Sequence, residues 1–212
     1  MKMIAISMRV TEAQNYFELR NSISFDLIHY MGRAGFLPVL VPNNLENVGQ
    51  FLDQFNLSGI LLTGGNNIDP KLYHSNENVG DVYAERDQTE AEMVKYAIKA
   101  ELSIFGICRG FHFLNVFFKG RLLNKIEGHV NKRHKLVSEN KDLNSFVVNS
   151  YHNQGVEEGG LGKRLNILAK SEDGYVEAFE NKQIKLLAIQ WHPERDSSEK
   201  DILLLKNHFS NL

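Results

Sequence analysis

Hydrophobic and polar residues alternate along the chain in blocks that predict strands and helices in turn. Four short apolar runs predict buried strands at residues 3–7, 37–41, 59–63 and 103–107. Apolar residues at helical spacing predict helices at residues 23–34, 47–55, 89–101 and 109–118. Strands that alternate with helices are typical of an α/β fold with a parallel sheet.

The pattern changes after residue 120. Shorter apolar segments, separated by turn signals such as Asp173-Gly174, predict strands at residues 146–149, 167–171, 175–179 and 186–191. A closing helix is predicted at residues 199–209. These segments indicate an antiparallel or mixed extension of the sheet. Because no repeat or linker divides the 212 residues, we predict one domain spanning residues 1–212.

The single cysteine, Cys108, lies where the fourth predicted strand meets the next helix. Its neighbours Gly106 and Gly110 are typical of an elbow, a tight turn that lifts a nucleophile off the end of a sheet. Glycine is needed on both sides because a Cβ would clash with the adjacent strand or helix. The helix N-terminus adds backbone N–H donors and a partial positive charge that favours a thiolate. The pattern therefore predicts a nucleophile rather than a buried core cysteine.

A second candidate segment, His192-Pro193-Glu194, follows the last predicted strand. Because proline disfavours the helical region for the residue before it, we expect an extended chain at His192. Residues two apart in an extended segment face the same side, which would bring His192 and Glu194 together. A histidine held by a carboxylate can take the proton of a thiol. Cys108, His192 and Glu194 are therefore predicted to form a catalytic triad.

Six segments resemble the class I glutamine amidotransferases, and in particular their free-standing γ-glutamyl hydrolase branch. They lie at residues 61–67, 85–90, 106–110, 128–134, 149–152 and 190–194, and so span nearly the whole chain. The resemblance implies a flavodoxin-like three-layer sandwich, with a central mostly parallel sheet and a small antiparallel extension. It also implies that a γ-glutamyl amide is hydrolysed through a γ-glutamyl thioester, without a cofactor.

The resemblance assigns further roles around the predicted triad. Backbone N–H groups at Gly64 or Gly65 and at Arg109 would form the oxyanion hole for the tetrahedral intermediate. Contacts to the glutamyl α-amino and α-carboxylate groups, partly through the main chain, would come from His112, Asn149, Ser150, Tyr151 and His152. His112 stands where the family commonly has glutamine, and a histidine there would make binding sensitive to pH.

Two spacings receive a structural interpretation. Asp87 and Glu90 match a capping box at the start of the third predicted helix, and we prefer this to a catalytic role. His129 and His134 suggest a metal site, but a site needs three or four converging ligands. Because no further cysteine or histidine has suitable spacing, we predict no metal.

The leaving group is predicted to contact the loops at residues 16–20 and 66–85. Arg20, Lys71 and Arg86 place positive charge in or beside these loops, which suits an anionic leaving group, although each could equally be a solvated surface charge. A narrower resemblance is to the bacterial enzymes that release cytidine diphosphoramidate from γ-glutamyl-CDP-amidate for capsule modification. The alternative function is a glutaminase subunit that delivers ammonia to a separate synthetase.

Composition and charge restrict the classes of binding partner and the cellular compartment that we expect for this protein. A formal net charge of −2 predicts no basic surface for nucleic acid or anionic membrane. No apolar run approaches the roughly 20 residues of a membrane span, and the apolar N-terminal segment is too short for a signal peptide. One cysteine suits a reducing compartment. We expect a cytoplasmic protein that binds a small γ-glutamyl substrate and neither nucleic acid nor membrane, with its oligomeric state open.

Overall fold

The computed structural model describes residues 1–196 and 198–210 and contains one long sheet with helices on both faces. The first half of the chain forms β1 (Lys2–Ser7), β2 (Arg9–Glu12), β3 (Leu19–Ser22), α1 (Phe25–Arg33), β4 (Phe36–Val41), α2 (Val48–Leu52), β5 (Leu57–Leu62), α3 (Ala84–Lys99), β6 (Ser103–Ile107) and α4 (Arg109–Phe117). The second half forms β7 (Val130–Val137), β8 (Val147–Tyr151), β9 (Asn166–Ser171), β10 (Val176–Asn181), β11 (Leu186–Ile189), α5 (Pro193–Asp196) and α6 (Glu199–Ser210).

Nine strands form the sheet in the order β4-β1-β5-β6-β11-β10-β9-β7-β8. The first five of these are parallel neighbours, whereas β10, β9, β7 and β8 extend the sheet with antiparallel pairings. The predicted mostly parallel centre with an antiparallel extension is therefore confirmed.

Two hydrophobic clusters cover the two faces of the sheet. On one face α2, α3 and α4 pack through residues such as Leu52, Met93 and Leu114. On the other face α1 and α6 pack through Leu27 and Phe209. The arrangement is a flavodoxin-like three-layer sandwich, and the central strands are continuously apolar because both of their faces are buried. Among the described helices, none has the length and apolar character that a membrane span requires.

One predicted helix start is wrong. Helix α3 begins at Ala84, and its N-cap residue Tyr83 makes no side-chain capping hydrogen bond. Asp87 and Glu90 therefore lie inside the helix, where both are buried. The capping-box interpretation fails because these carboxylates pair with the side chains of Arg86 and Arg109 rather than with the backbone of the first turn.

Strands β2, β3 and β7 were not predicted from the sequence. The hairpin of β2 and β3 is a separate two-stranded sheet, and most of its residues are partly or fully exposed. Strand β7 is likewise mostly exposed. Because few of their side chains are buried, these segments lack the apolar alternation that marks a half-buried strand.

Candidate active site

The carboxyl ends of three neighbouring parallel strands meet at one cavity. Thr63 follows β5, Cys108 follows β6, and His192 lies three residues after β11. Ligands of open α/β sheets bind outside the carboxyl ends of the strands. A cavity of about 560 Å³ opens there, a size typical of small-molecule sites. Its walls come from the β2–β3 hairpin, the loop after β5, the start of α4, the loop after β8, and α5.

Cys108 has the strained backbone of a nucleophile elbow, with φ 51° and ψ −101° directly before α4. A Cβ on Gly106 would lie 2.6 Å from Leu114 Cδ1, and one on Gly110 would lie 2.2 Å from the carbonyl oxygen of Leu62. Both contacts are too close for any side chain. The two glycines therefore allow the helix to pack directly on the strand beside Cys108, as the sequence predicts.

His192 and Glu194 contact each other through a hydrogen bond of 2.6 Å between Nδ1 and Oε1. The predicted contact is therefore present, but the extended segment expected to carry it does not reach Glu194, because β11 ends at Ile189 and α5 begins at Pro193. Proline is favoured in the first turn of a helix, where its missing N–H is not needed. The short helix, rather than an alternating strand, brings the carboxylate back to the imidazole.

The electrostatic surroundings keep His192 protonated. Burial alone would lower its pKa, but the charge of Cys108, a hydrogen bond with Cys108, and Glu194 together outweigh burial and raise the pKa to about 10. At neutral pH the imidazole is therefore an imidazolium beside the sulfur of Cys108. Such a pair is the reactive form of a cysteine nucleophile.

Asn149 holds the backbone of His192 from below the cavity. Its Oδ1 accepts a hydrogen bond from the His192 N–H, and its Nδ2 donates to the His192 carbonyl, each at 2.8 Å. The hydroxyl of Ser150 donates to the carbonyl oxygen of His129 at 2.6 Å. The side chains of Asn149 and Ser150 thus bind other parts of the protein and do not line the cavity.

The other three predicted substrate residues, His112, Tyr151 and His152, do line the cavity. Burial, followed by the charge of Arg109, lowers the pKa of His112 to about 3. The expected pH sensitivity of His112 is therefore wrong, because the ring stays neutral across the physiological range. Its Nε2 is buried and has no partner in hydrogen-bond geometry among the described residues.

The predicted oxyanion donors lie beside the sulfur. A Cβ on Gly64 would be 2.9 Å from His192 Cε1 and 3.7 Å from Cys108 Cβ, so only backbone fits between them. Gly65 has φ +82°, which favours glycine. Within residues 1–196 and 198–210, the N–H groups of Gly64, Gly65 and Arg109 make no hydrogen bond to a protein acceptor.

Arg86 fixes the loop that carries these glycines. It is fully buried and donates to the carbonyl oxygens of Thr63 at 2.8 Å and Gly64 at 3.1 Å. A third bond goes to the carbonyl of Gly65. Because the carbonyls of this loop point toward Arg86, its N–H groups are left for the cavity. Burial, followed by the charge of Arg109, lowers the pKa of Arg86 to about 10.

A buried ion network joins the glycine loop to the elbow. Arg86 pairs with one carboxylate oxygen of Glu90 at 3.0 Å, and Arg109 pairs with the other. Arg109 also pairs with Asp87. Two guanidinium groups are thereby balanced by two carboxylates inside the protein, so α3 connects both sides of the nucleophile. The sequence favoured a helix cap for Asp87 and Glu90 because residue spacing reveals only local pairs, whereas their partner Arg109 is distant along the chain.

The basic residues expected near the leaving group are placed differently. Arg86 is inside the protein, and neither Arg20 nor Lys71 lines the cavity. Instead the guanidinium groups of Arg9 and Arg195 belong to its walls. Arg195 stacks over the ring of Tyr151 at 4.0 Å, whereas the side chain of Arg9 packs against Gly65.

Glu90→Gln is expected to lower the free energy of unfolding by about 3–5 kcal/mol, since it leaves two buried guanidinium groups facing one carboxylate. Urea unfolding at neutral pH measures this change. Glu92→Gln, on the same helix and outside the network, is the matched control and should change stability by less than about 0.5 kcal/mol. Equal stability of the two variants would contradict the proposed importance of the network.

Two solved structures share this fold. A GMP synthase protein from Thermoplasma acidophilum has a TM-score of 0.70, covering 100% of this chain and 95% of that one at 22% identity. A glutamine amidotransferase from Thermotoga maritima has a TM-score of 0.62, covering 99% and 84% at 15% identity. The fold is therefore that of the class I glutamine amidotransferases.

Sequence comparison gives the family. Residues 2–194 match the Peptidase C26 model. A glutamine amidotransferase-like protein of Lactococcus lactis is 34% identical, over 74% of this chain and 72% of its own length. The γ-glutamyl-γ-aminobutyrate hydrolase of Escherichia coli O157:H7 is 33% identical, over 78% and 76% respectively. The chain belongs to the Peptidase C26 family and is a hydrolase.

Proposed function

We propose that the protein hydrolyses γ-glutamyl amides, with Cys108 as the nucleophile, His192 as the acid and base, and Glu194 as the group that orients His192. The observation that carries this proposal is the buried His192–Glu194 pair beside a cysteine held on a strained elbow. Relatives whose names describe γ-glutamyl hydrolysis support the substrate class.

In the first half of the proposed reaction, the Cys108 sulfur attacks the γ-carbonyl carbon and forms a tetrahedral oxyanion. Backbone N–H groups of the glycine loop and of Arg109 stabilise this oxyanion. The imidazolium of His192 then gives its proton to the leaving nitrogen as the C–N bond breaks. The products of this half-reaction are the free amine or amidate and a γ-glutamyl thioester on Cys108.

In the second half, water attacks the thioester while neutral His192 takes a proton from that water. Collapse of the second tetrahedral intermediate breaks the C–S bond and releases glutamate. His192 ends protonated beside the Cys108 thiolate, which restores the starting ion pair. The single thiol must stay reduced for this chemistry, which places the enzyme in the cytoplasm under this proposal.

Two arginines divide the recognition of the substrate in this proposal. Arg195, held over Tyr151 next to the triad, binds the glutamyl α-carboxylate. Arg9, which lines the cavity beside Gly65, binds an anionic leaving group. The γ-glutamyl-CDP-amidate hydrolase of Campylobacter jejuni, 29% identical over 73% of this chain and 70% of its own length, supports a nucleotide amidate as that group. Such a reaction would release cytidine diphosphoramidate for capsule modification.

Amidating the substrate's α-carboxylate should lower kcat/KM by about 10- to 100-fold, the value of a charge-assisted hydrogen bond. Arg195→Met should remove this difference between the two substrates but keep the ranking of leaving groups. Arg9→Met should do the reverse, lowering the preference for γ-glutamyl-CDP-amidate over γ-glutamyl-γ-aminobutyrate. Steady-state kinetics of the wild type and both variants, with each pair of substrates, measures both effects. Wild-type tolerance of a blocked α-carboxylate would refute the γ-glutamyl assignment.

The same assays separate a hydrolase from a glutaminase subunit. A hydrolase should turn over γ-glutamyl conjugates as the purified chain alone, with glutamine as a weaker substrate. A glutaminase subunit should act on glutamine, and its activity should rise when a synthetase partner is added. Turnover of glutamine alone, with no turnover of conjugates, would favour the subunit.

A further inference from the structure

A cluster of buried titratable side chains lies next to the cavity and takes no part in the proposed reaction. His129 precedes β7, His152 follows β8, and Glu177 lies on β10. All three are buried, and one potential ligand atom from each lies within 4.8 Å of the others. His134, on β7, approaches the same carboxylate.

The carboxylate of Glu177 is unsatisfied among the described residues. The side chain is fully buried, and in the described chain neither oxygen has a partner in hydrogen-bond geometry, so its only polar neighbours there are imidazoles at longer range; a buried carboxylate so weakly paired is strongly unfavourable. Its Oε1 lies 3.7 Å from His129 Nδ1, 3.4 Å from His134 Nε2 and 3.6 Å from His152 Nε2. These distances are too long for hydrogen bonds.

The same distances fit ligands that share a cation. In a tetrahedral zinc site with bonds of about 2.1 Å, neighbouring ligand atoms lie about 3.4 Å apart. A divalent cation between His129, His152 and Glu177 would satisfy the carboxylate and two imidazole lone pairs at once. If one imidazole or the carboxylate were protonated instead, the added hydrogen could serve only one of the imidazole–carboxylate pairs.

The outer ring nitrogens are held as they are in metal-binding histidines. His152 Nδ1 lies 2.7 Å from the carbonyl oxygen of Gln154, so this nitrogen carries the hydrogen and the Nε2 lone pair faces Glu177. His129 Nε2 lies 3.0 Å from the carboxylate of Asp173, which favours a hydrogen there and leaves Nδ1 as the ligand. Histidine ligands almost always donate their second N–H to a carbonyl or carboxylate in this way.

We propose that His129, His152 and Glu177 bind a Zn²⁺ ion. Imidazole and carboxylate donors suit zinc, and three protein ligands leave the fourth tetrahedral position for a water molecule. The ion would tie β7, β8 and β10 together beneath the loop that carries His152 into the cavity. The sequence predicts no metal because it weighs only cysteine and histidine spacing, whereas the fold adds Glu177 and His152.

Zinc binding should be measured in the Cys108→Ser background, because Cys108 and His192 could themselves bind the ion. Metal-free protein titrated with Zn²⁺ against a chromophoric chelator should bind one equivalent with a dissociation constant below about 1 μM. Co²⁺ should give the visible absorption of a tetrahedral complex. Glu177→Gln should weaken binding at least about 100-fold. Glu180→Gln, the same change on the same strand outside the cluster, should leave the affinity unchanged.

Asp173→Asn provides a second test that does not disturb the buried ligands, because the Asp173 side chain is 53% exposed. Loss of its contact with His129 should weaken zinc binding about 10- to 100-fold. Absence of stoichiometric binding by the Cys108→Ser protein would overturn the proposal. So would equal zinc affinity in the parent, Glu177→Gln and Asp173→Asn proteins. If Glu177→Gln does not fold, an unchanged affinity in Asp173→Asn overturns it.

Discussion

Cys108→Ser is expected to lower kcat at least about 10⁴-fold, a loss comparable to those seen when other covalent-catalysis nucleophiles are removed. A serine hydroxyl is a much weaker nucleophile than a cysteine sulfur beside the His192 imidazole, so attack on the γ-carbonyl carbon fails. The fold should be unaffected, since serine keeps the size and the polar atom of the side chain. Turnover of γ-glutamyl substrates and urea unfolding together measure the two effects.

Chemical labelling gives an independent test of the same residue. Because Cys108 is the only cysteine, one iodoacetamide adduct per chain should account for all loss of activity. Glutamate-like ligands should slow the labelling by occupying the cavity. Mass spectrometry should also detect a γ-glutamyl thioester on the wild-type protein and not on Cys108→Ser. A variant lacking Cys108 that retains more than about 1% of the wild-type rate would refute the mechanism.

His192→Asn is expected to be nearly as damaging as Cys108→Ser, because nucleophile and base act as one unit. For the same reason the double variant should be no slower than either single variant. Steady-state and single-turnover rates on one γ-glutamyl substrate measure all three proteins. Multiplicative losses in the double variant would mean that the two side chains act separately.

Glu194→Gln should be milder, since it weakens the hold on the imidazole without removing it. In the wild type, His192 keeps the proton for the leaving group below about pH 10 and loses it as the pH rises through that value. Glu194 contributes to this raised pKa, so the alkaline fall of kcat/KM should move to lower pH in Glu194→Gln. Glu199→Gln, outside the cavity, should leave the profile unchanged. Damage from Glu194→Gln equal to that from His192→Asn would contradict the assigned roles.

The central sheet could be predicted from the sequence because its signals are local. Strands β5 and β6 are short apolar runs buried on both faces, and the helices between strands have a regular apolar spacing. The elbow was equally clear, since a cysteine between two glycines at a strand-to-helix junction is typical of a nucleophile. The hairpin of β2 and β3 carries no such signal because its side chains are largely exposed.

Long-range pairing accounts for what the sequence could not show. The spacing of Asp87 and Glu90 matches a helix cap. In the folded chain, however, both carboxylates form ion pairs with Arg109, which is distant along the sequence. Arg9 and Arg195 gave no motif of their own. Their only sequence signal is position, since Arg9 follows the first strand and Arg195 follows the predicted triad acid. Their meeting at one cavity depends on the strand order.

The separation of the β2–β3 hairpin from the main sheet has an evolutionary consequence. In the described chain, the hairpin joins the glycine loop mainly through Asn66, whose side chain bonds both the N–H and the carbonyl of Val10 at 2.9 Å. Its length and sequence can therefore change without shifting the register of the strands that carry Cys108 and His192. Descendants of one ancestral enzyme could exchange this hairpin to acquire new leaving groups while inheriting the same chemistry.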